Sequence, residues 1–346
     1  MHNNISSTGR LAEFDAAKGI AILCVILGHL GIYNINRVVY TFHMPIFFLI
    51  SGYFLSFKYS YSDFIHRKFS GIIQPYIATC ILICILSIPI SFVQDQSIVT
   101  NLVKWICGSI YGSGLPDSPV IIKHFPSFIG ALWFLPSLFW GSLIARYILD
   151  HNDDLKSFAI LCILFYVGWK TAETIWLPFD IQAGLTASLY LFWGYISKKY
   201  SILKTHISYF TWFVILFIAA WAIKYFKGLW FVKNYFGNGI FDILASLAIS
   251  FIIMKICAFI VDKLPHLTLI LQWFGKNSII VLAFHIIELD LFPWQLLIDR
   301  FGIFGQDLNH LSGLGLTIII IMKLLWVILG ISFINHIPFM KRIYKA

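Results

Sequence analysis

The segment from Arg10 to Phe54 constrains this chain most. It holds two apolar runs, each near the roughly 20 residues that cross a bilayer as a helix, joined by a short polar turn at Asn34, Asn36 and Arg37. Spans that serve only as structure carry no ionisable groups, yet these carry Asp15, Lys18, His29 and His43. Such groups are costly to keep in hydrocarbon, so each marks a functional candidate. Helix geometry orders them. Ten residues separate Lys18 from His29, which is about three turns and about 16 Å of rise back to nearly the same face. Asp15 lies one turn below Lys18, where the two can pair. Because the connection is short, His29 and His43 are expected at similar depth.

Composition sets the solvent. The 346 residues are 59% hydrophobic and 12% charged, half the charge of about 25% that soluble domains carry. No long hydrophilic stretch divides the apolar runs, so the fold expected is all-α, one polytopic membrane helix bundle over residues 1–346. About ten transmembrane helices are expected, near 16–33, 37–57, 70–93, 126–149, 157–173, 183–198, 206–226, 237–261, 276–292 and 313–334. The longest connection, about 94–125, reads as a loop able to cap an outward-facing pocket. The net charge of +9 has no soluble domain to carry a basic patch, which argues against a nucleic-acid partner. The six cysteines lie mostly in apolar runs without a metal-like spacing, so neither disulfides nor a metal site is expected. The N-terminus lacks a signal-peptide pattern, and the first span is expected to be retained.

Lys and Arg fall about two to one on the side that holds the N-terminus, Arg10, Lys198, Lys199, Lys341 and Arg342 among them. Lys123 and the Lys224, Lys227 and Lys233 group fall on the other side, and Lys323 lies within the last span. This balance places both termini in the cytoplasm, with Lys18, Arg67 and Lys68 toward that face and His29 and His43 toward the outer one.

Two motifs carry a resemblance. Asp15-x-x-Lys18-Gly19 leading to Gly28-His29, then Phe42-His43-Met44-Pro45-x-Phe47-Phe48-x-x-Ser51-Gly52, resembles the start of the integral-membrane acyltransferase-3 family. Leu132-Trp133-Phe134-Leu135, Leu177-Pro178-Phe179-Asp180 with Gly194-Tyr195, and Gly275-Lys276-Asn277-Ser278 with His285 extend the likeness over nearly the whole chain. The resemblance implies a bacterial inner-membrane O-acyltransferase that moves acetyl, or a similar small acyl group, from acetyl-CoA to a hydroxyl of a cell-surface polysaccharide or lipid-linked glycan. The family more often has Arg where Lys18 stands, and many members have a further Arg where Gly71 stands.

Acyl transfer to a hydroxyl needs a base to take the proton and donors to hold the oxyanion. A neutral imidazole accepts a proton, and the resemblance centres on His29, so His29 is the first catalytic candidate. Asp15 is its companion on the same face, although Asp15 and Lys18 also fit a membrane-boundary ion pair. Lys18, Arg67 and Lys68 are candidates for the acyl-CoA donor, with positive-inside anchoring the plainer reading of the last two. His43 and Trp133 are candidates for the acceptor pocket. His285 and Glu288, three apart on one helix, form a second catalytic pair in which a carboxylate fixes a tautomer. No nucleophile elbow surrounds Ser51 or Ser278. The residues alone also fit a transporter or flippase for a glycan or small solute, since polar lines inside helices suit a solute or proton path.

Overall fold

The computed structural model describes residues 11–122, 124–301 and 312–345. Arg10 and Lys123, both used in the charge balance, lie outside the described residues. The segment read as two helices is three: α1 (Ala12–Gly28), α2 (Tyr33–Val39) and α3 (His43–Tyr53). The supposed polar turn at Asn34, Asn36 and Arg37 is itself the short helix α2. Next come α4 (Tyr61–Lys68) and α5 (Gln74–Val93), continuous through a π-helical turn at Phe69–Ile73. Then follow α6 (Ile98–Tyr111), a 3-10 turn at Gly130–Trp133, α7 (Phe134–His151), α8 (Asp154–Thr171), α9 (Ile181–Lys199) and α10 (Tyr209–Lys224). A small antiparallel hairpin, β1 (Leu229–Trp230) and β2 (Tyr235–Phe236), precedes α11 (Ile240–Lys263) and α12 (Pro265–Lys276). The chain continues with α13 (Ser278–Leu291), α14 (Trp294–Phe301), α15 (Gly313–His336) and α16 (Pro338–Tyr344).

Local chemistry sets many of these boundaries. Ser60, Ser97, Asp153, Ser208 and Ser312 each accept a hydrogen bond from a backbone N–H in the first turn of the helix that follows. Gly112 ends α6 in the left-handed region at φ 85°, a conformation open to glycine. Pro265 stands at the start of α12, where the missing N–H is no loss, and Pro75 directly follows the π-helical turn inside the continuous stretch Tyr61–Val93.

Each expected span contains a helix, but not every helix has the length of a span. Among the described residues four helical stretches are long and apolar enough to cross a bilayer: Tyr61–Val93, Gly130–His151, Ile240–Lys263 and Gly313–His336. A fifth is the pair α12 and α13, bent by 70° at Asn277. The chain is therefore a polytopic helical membrane protein with at least four such helices, and ten spans are not established. The second expected span shows why: its apolar run is divided between α2 and α3, with the break at Tyr40–Phe42. The supposed loop 94–125 is also corrected, because α6 occupies much of it.

Glycines permit the packing that brings the site together. A Cβ on Gly19 would run into the Leu271 carbonyl of α12, and one on Gly275 into the Asp15 carbonyl of α1. Gly52 of α3 and Gly194 of α9 press in the same way on Leu191 and Leu49. Small residues let helices approach where the lipid gives no hydrophobic driving force between them. Since α12 meets α1 at the Asp15 level, α13 starts from that level and, after its 70° turn away from α12, brings His285 to His29.

Candidate active site

His29 follows the last residue of α1, where its Nδ1 donates to the Val25 carbonyl at 2.8 Å. A carbonyl only accepts, so Nδ1 carries the proton, and a neutral ring keeps its lone pair on Nε2. His43 repeats the arrangement at the start of α3, donating from Nδ1 to the Val39 carbonyl at 2.6 Å. Tyr40 packs edge-on to His43 and donates from its hydroxyl to the Gly28 carbonyl, 3.2 Å away, which ties the end of α2 beside His29.

Behind His29 stands a line of polar side chains. His285 Nε2 lies 3.3 Å from His29 Nδ1, with the two rings edge to face. His285 Nδ1 is 3.9 Å from Glu288 Oε2, and Glu288 Oε1 accepts from the Lys323 ammonium of α15. His285, Glu288 and Lys323 are all buried. Trp326 of α15 donates to the Phe284 carbonyl at 2.8 Å, and Gly330 packs against the Phe284 ring, which holds α15 on α13 at this level. Buried charges in proteins are paired, and here Glu288 of α13 is paired with Lys323 of α15.

His29 also borders a cavity of about 580 Å³. Lys18 and Ser278 line one end; His29, His43, Tyr40 and Trp133 line the middle; Asp290 and Lys233 line the other end. The ordering follows from the helices themselves. Lys18 on α1 precedes His29 by about 16 Å of rise. Ser278 and Asp290 lie on opposite sides of His285 along α13, and α13 starts from the Asp15 level of α1, where Gly275 packs. The walls are mostly apolar, including Ile22, Val25, Phe47 and Leu282, so a few polar groups stand on a hydrophobic surface. Gly114 and Leu115, from the stretch expected to cap a pocket, are among its lining residues.

Most candidates from the sequence converge here; Asp15, Arg67 and Lys68 do not. His29, His43, Lys18 and Trp133 line the cavity, and His285 and Glu288 stand directly behind His29. Asp15 does not join them. Its carboxylate pairs with Lys18 at 2.7 Å, and the helix rise of about 20 Å between Asp15 and His29 removes it from the histidines. Arg67 and Lys68 are not among the residues lining the cavity; they stack on Tyr59 at 3.8 Å and over Phe64 at 5.5 Å. Lys323 and Asp290 were not singled out. Lys323 had a signal, as the sole Asp, Glu, Lys or Arg in the apolar helix Gly313–His336. Among the described residues no three His, Cys, Asp or Glu side chains gather as a metal site.

A membrane-embedded helical bundle, with a histidine pair at the edge of a largely apolar cavity, is the class of protein that these features define. The family model described as "Acyltransferase domain" matches residues 11–335, and the chain belongs to that family, acyltransferase-3. It is thereby placed among acyltransferases. It is also 33% identical over 161 residues to the nodulation protein NolL of Mesorhizobium japonicum, a match covering 42% of this chain and 38% of that protein. The shared stretch thus spans less than two-fifths of the relative's length. No solved structure matches the chain.

Proposed function

We propose that this chain is a bacterial inner-membrane O-acyltransferase. It moves acetyl, or a similar small acyl group, from acyl-CoA to a hydroxyl of a surface glycan or its lipid-linked precursor. One observation carries the reading: His29, backed by the buried line His285–Glu288–Lys323, opens onto a cavity that holds Lys18 at one end. A base midway along an apolar passage and a cation at one end of it suit an acceptor hydroxyl and a donor phosphate.

The chemistry then follows from the tautomer. His29 Nε2 takes the proton of the acceptor hydroxyl as its oxygen attacks the thioester carbonyl. The new carbon–oxygen bond forms, the carbon–sulfur bond breaks, and coenzyme A leaves as the thiol after receiving that proton from the imidazolium. Positive charge that builds on His29 is offset through His285 by the Glu288 carboxylate, as in other base–orienter pairs. Lys323 keeps that carboxylate in place. At the other end Lys18 meets the coenzyme A phosphates, and Asp15 positions Lys18. His43 and Trp133 flank the acceptor. With both termini in the cytoplasm, the Lys18 end is the donor side and the acceptor enters from outside.

The test is the ester content of surface glycans, by mass spectrometry, in cells without the gene, with it, and with His29→Ala at matched expression. An acetyl mass that needs the gene and is lost with His29→Ala is expected. Transport without covalent chemistry, which a polar line in a membrane also fits, would leave glycan masses unchanged in all three.

A further inference from the structure

The end of the cavity away from Lys18 is built largely from segments outside the long helices. The β1–β2 hairpin is rooted in the bundle by Leu229, Phe231 and Phe236, all buried. Asn234, in the left-handed region at φ 49°, fixes its turn: its amide oxygen accepts from Thr186 Oγ1 at 2.8 Å, and its amide nitrogen donates to the Gly168 carbonyl at 3.0 Å. A turn held by two buried side-chain hydrogen bonds keeps its neighbours in place.

This rooted hairpin sends Trp230 and Lys233 to the cavity wall. The Lys233 ammonium lies 4.6 Å from the Trp230 ring centre, and Trp230 stacks with Tyr235 at 5.2 Å. From α13, Asp290 lines the same cavity, and its buried Oδ2 finds no hydrogen-bond partner among the described residues. Gly130, at φ 64°, stands so close that a Cβ there would collide with that oxygen. A buried acceptor without a donor is costly, unless a ligand brings the donor.

An indole, an ammonium and an unsatisfied carboxylate oxygen complement a sugar ring, which has an apolar C–H face and a rim of hydroxyls. Resting on the acyl-transfer reading above, we propose that Trp230, Lys233 and Asp290 form the acceptor subsite, holding a sugar ring so that one hydroxyl reaches His29. Trp230 packs on the apolar face of the ring, Lys233 donates to a ring or hydroxyl oxygen, and Asp290 accepts from a hydroxyl. The subsite acts on the acceptor alone, since Lys18 and the donor end lie elsewhere in the cavity.

Membrane vesicles from expressing cells retain their own glycan acceptor, so radiolabelled acetyl-CoA can serve as the probe. Glycan-bound label released by mild base is counted for intact protein, Trp230→Ala, Trp230→Phe and Asp290→Asn, each at matched abundance and with a checked melting temperature. The subsite predicts at least a tenfold loss of ester label in Trp230→Ala and Asp290→Asn, with an unchanged acetyl-CoA KM and with Trp230→Phe largely active. Labelling equal to intact protein in both variants overturns the subsite while leaving acyl transfer standing. A raised acetyl-CoA KM in either also overturns it, because the residues would then serve the donor. No glycan label with intact protein defeats the acyl-transfer reading itself, and the subsite with it.

Discussion

Two lysine–carboxylate pairs in this bundle are alike in chemistry and opposite in design. Lys18 and Asp15 are three residues apart on one helix, and the Lys18 side chain remains 26% exposed. Lys323 and Glu288 join two helices, and both side chains are almost fully buried, at 3% and 1% exposed. A local pair whose carboxylate is buried but whose cation stays part-exposed at the cavity wall leaves that cation available to a ligand that enters. A cross-helix pair in the interior spends its charges on each other, and what it controls is the residue next in line, His285. The first pair fits binding, the second positioning.

The largest expected effect comes from breaking the buried pair on one side. Lys323→Met or Glu288→Gln alone strands a polar or charged partner, and each is expected to cost about 3–5 kcal/mol. Thermal melting of detergent-solubilised protein checks this. The double variant should recover most of the melting temperature, because no charge is left unpaired, yet remain poor in transfer because His285 loses its carboxylate. Recovery of transfer as well would show that the pair is structural only.

Next is the packing that aligns the two lines. Gly275→Val places side-chain atoms where the Asp15 backbone lies, for a loss of about 1–3 kcal/mol. It should lower transfer more than stability alone explains, because α13 would shift relative to His29. A smaller effect is expected at Lys18. Lys18→Ala should raise the acetyl-CoA KM about tenfold, on the scale of one charged hydrogen bond, with Lys18→Arg restoring it. Asp15→Asn should raise the same KM less. Smallest of all, Arg67→Ala and Lys68→Ala should change the donor KM less than Lys18→Ala does, since neither side chain lines the cavity. An equal or larger change at Arg67 would move the donor end away from Lys18.

The comparison also separates what was legible in the sequence. Asp15 with Lys18 and His285 with Glu288 could be read because helix periodicity predicts neighbours three residues apart. That His29 and His285 meet could not, for they stand 256 positions apart and are brought together by tertiary packing, including the close contact of α1 with α12 at Gly19 and Gly275. Lys323 was visible as a charge in an apolar helix, but a lone charge announces a partner without naming it. The helix α6 was hidden because Lys104 and the Gly108–Ser109 step interrupt its apolar run, and α12 because it is short and ends in a sharp bend. Trp230 and Asp290 gave no pattern. Their convergence depends on a hairpin held by Asn234, a single polar residue whose partners lie on two other helices.

The central claim is that His29 is the base, and chemical rescue tests it most directly. Vesicles carrying His29→Ala are given labelled acetyl-CoA with and without added imidazole, and ester label on glycans is timed. Loss of about 10²–10⁴ in rate, the usual span for a general base, is expected, with partial return as imidazole enters the space left at the cavity wall. A His29→Ala rate close to that of intact protein, with no response to imidazole, would contradict the account.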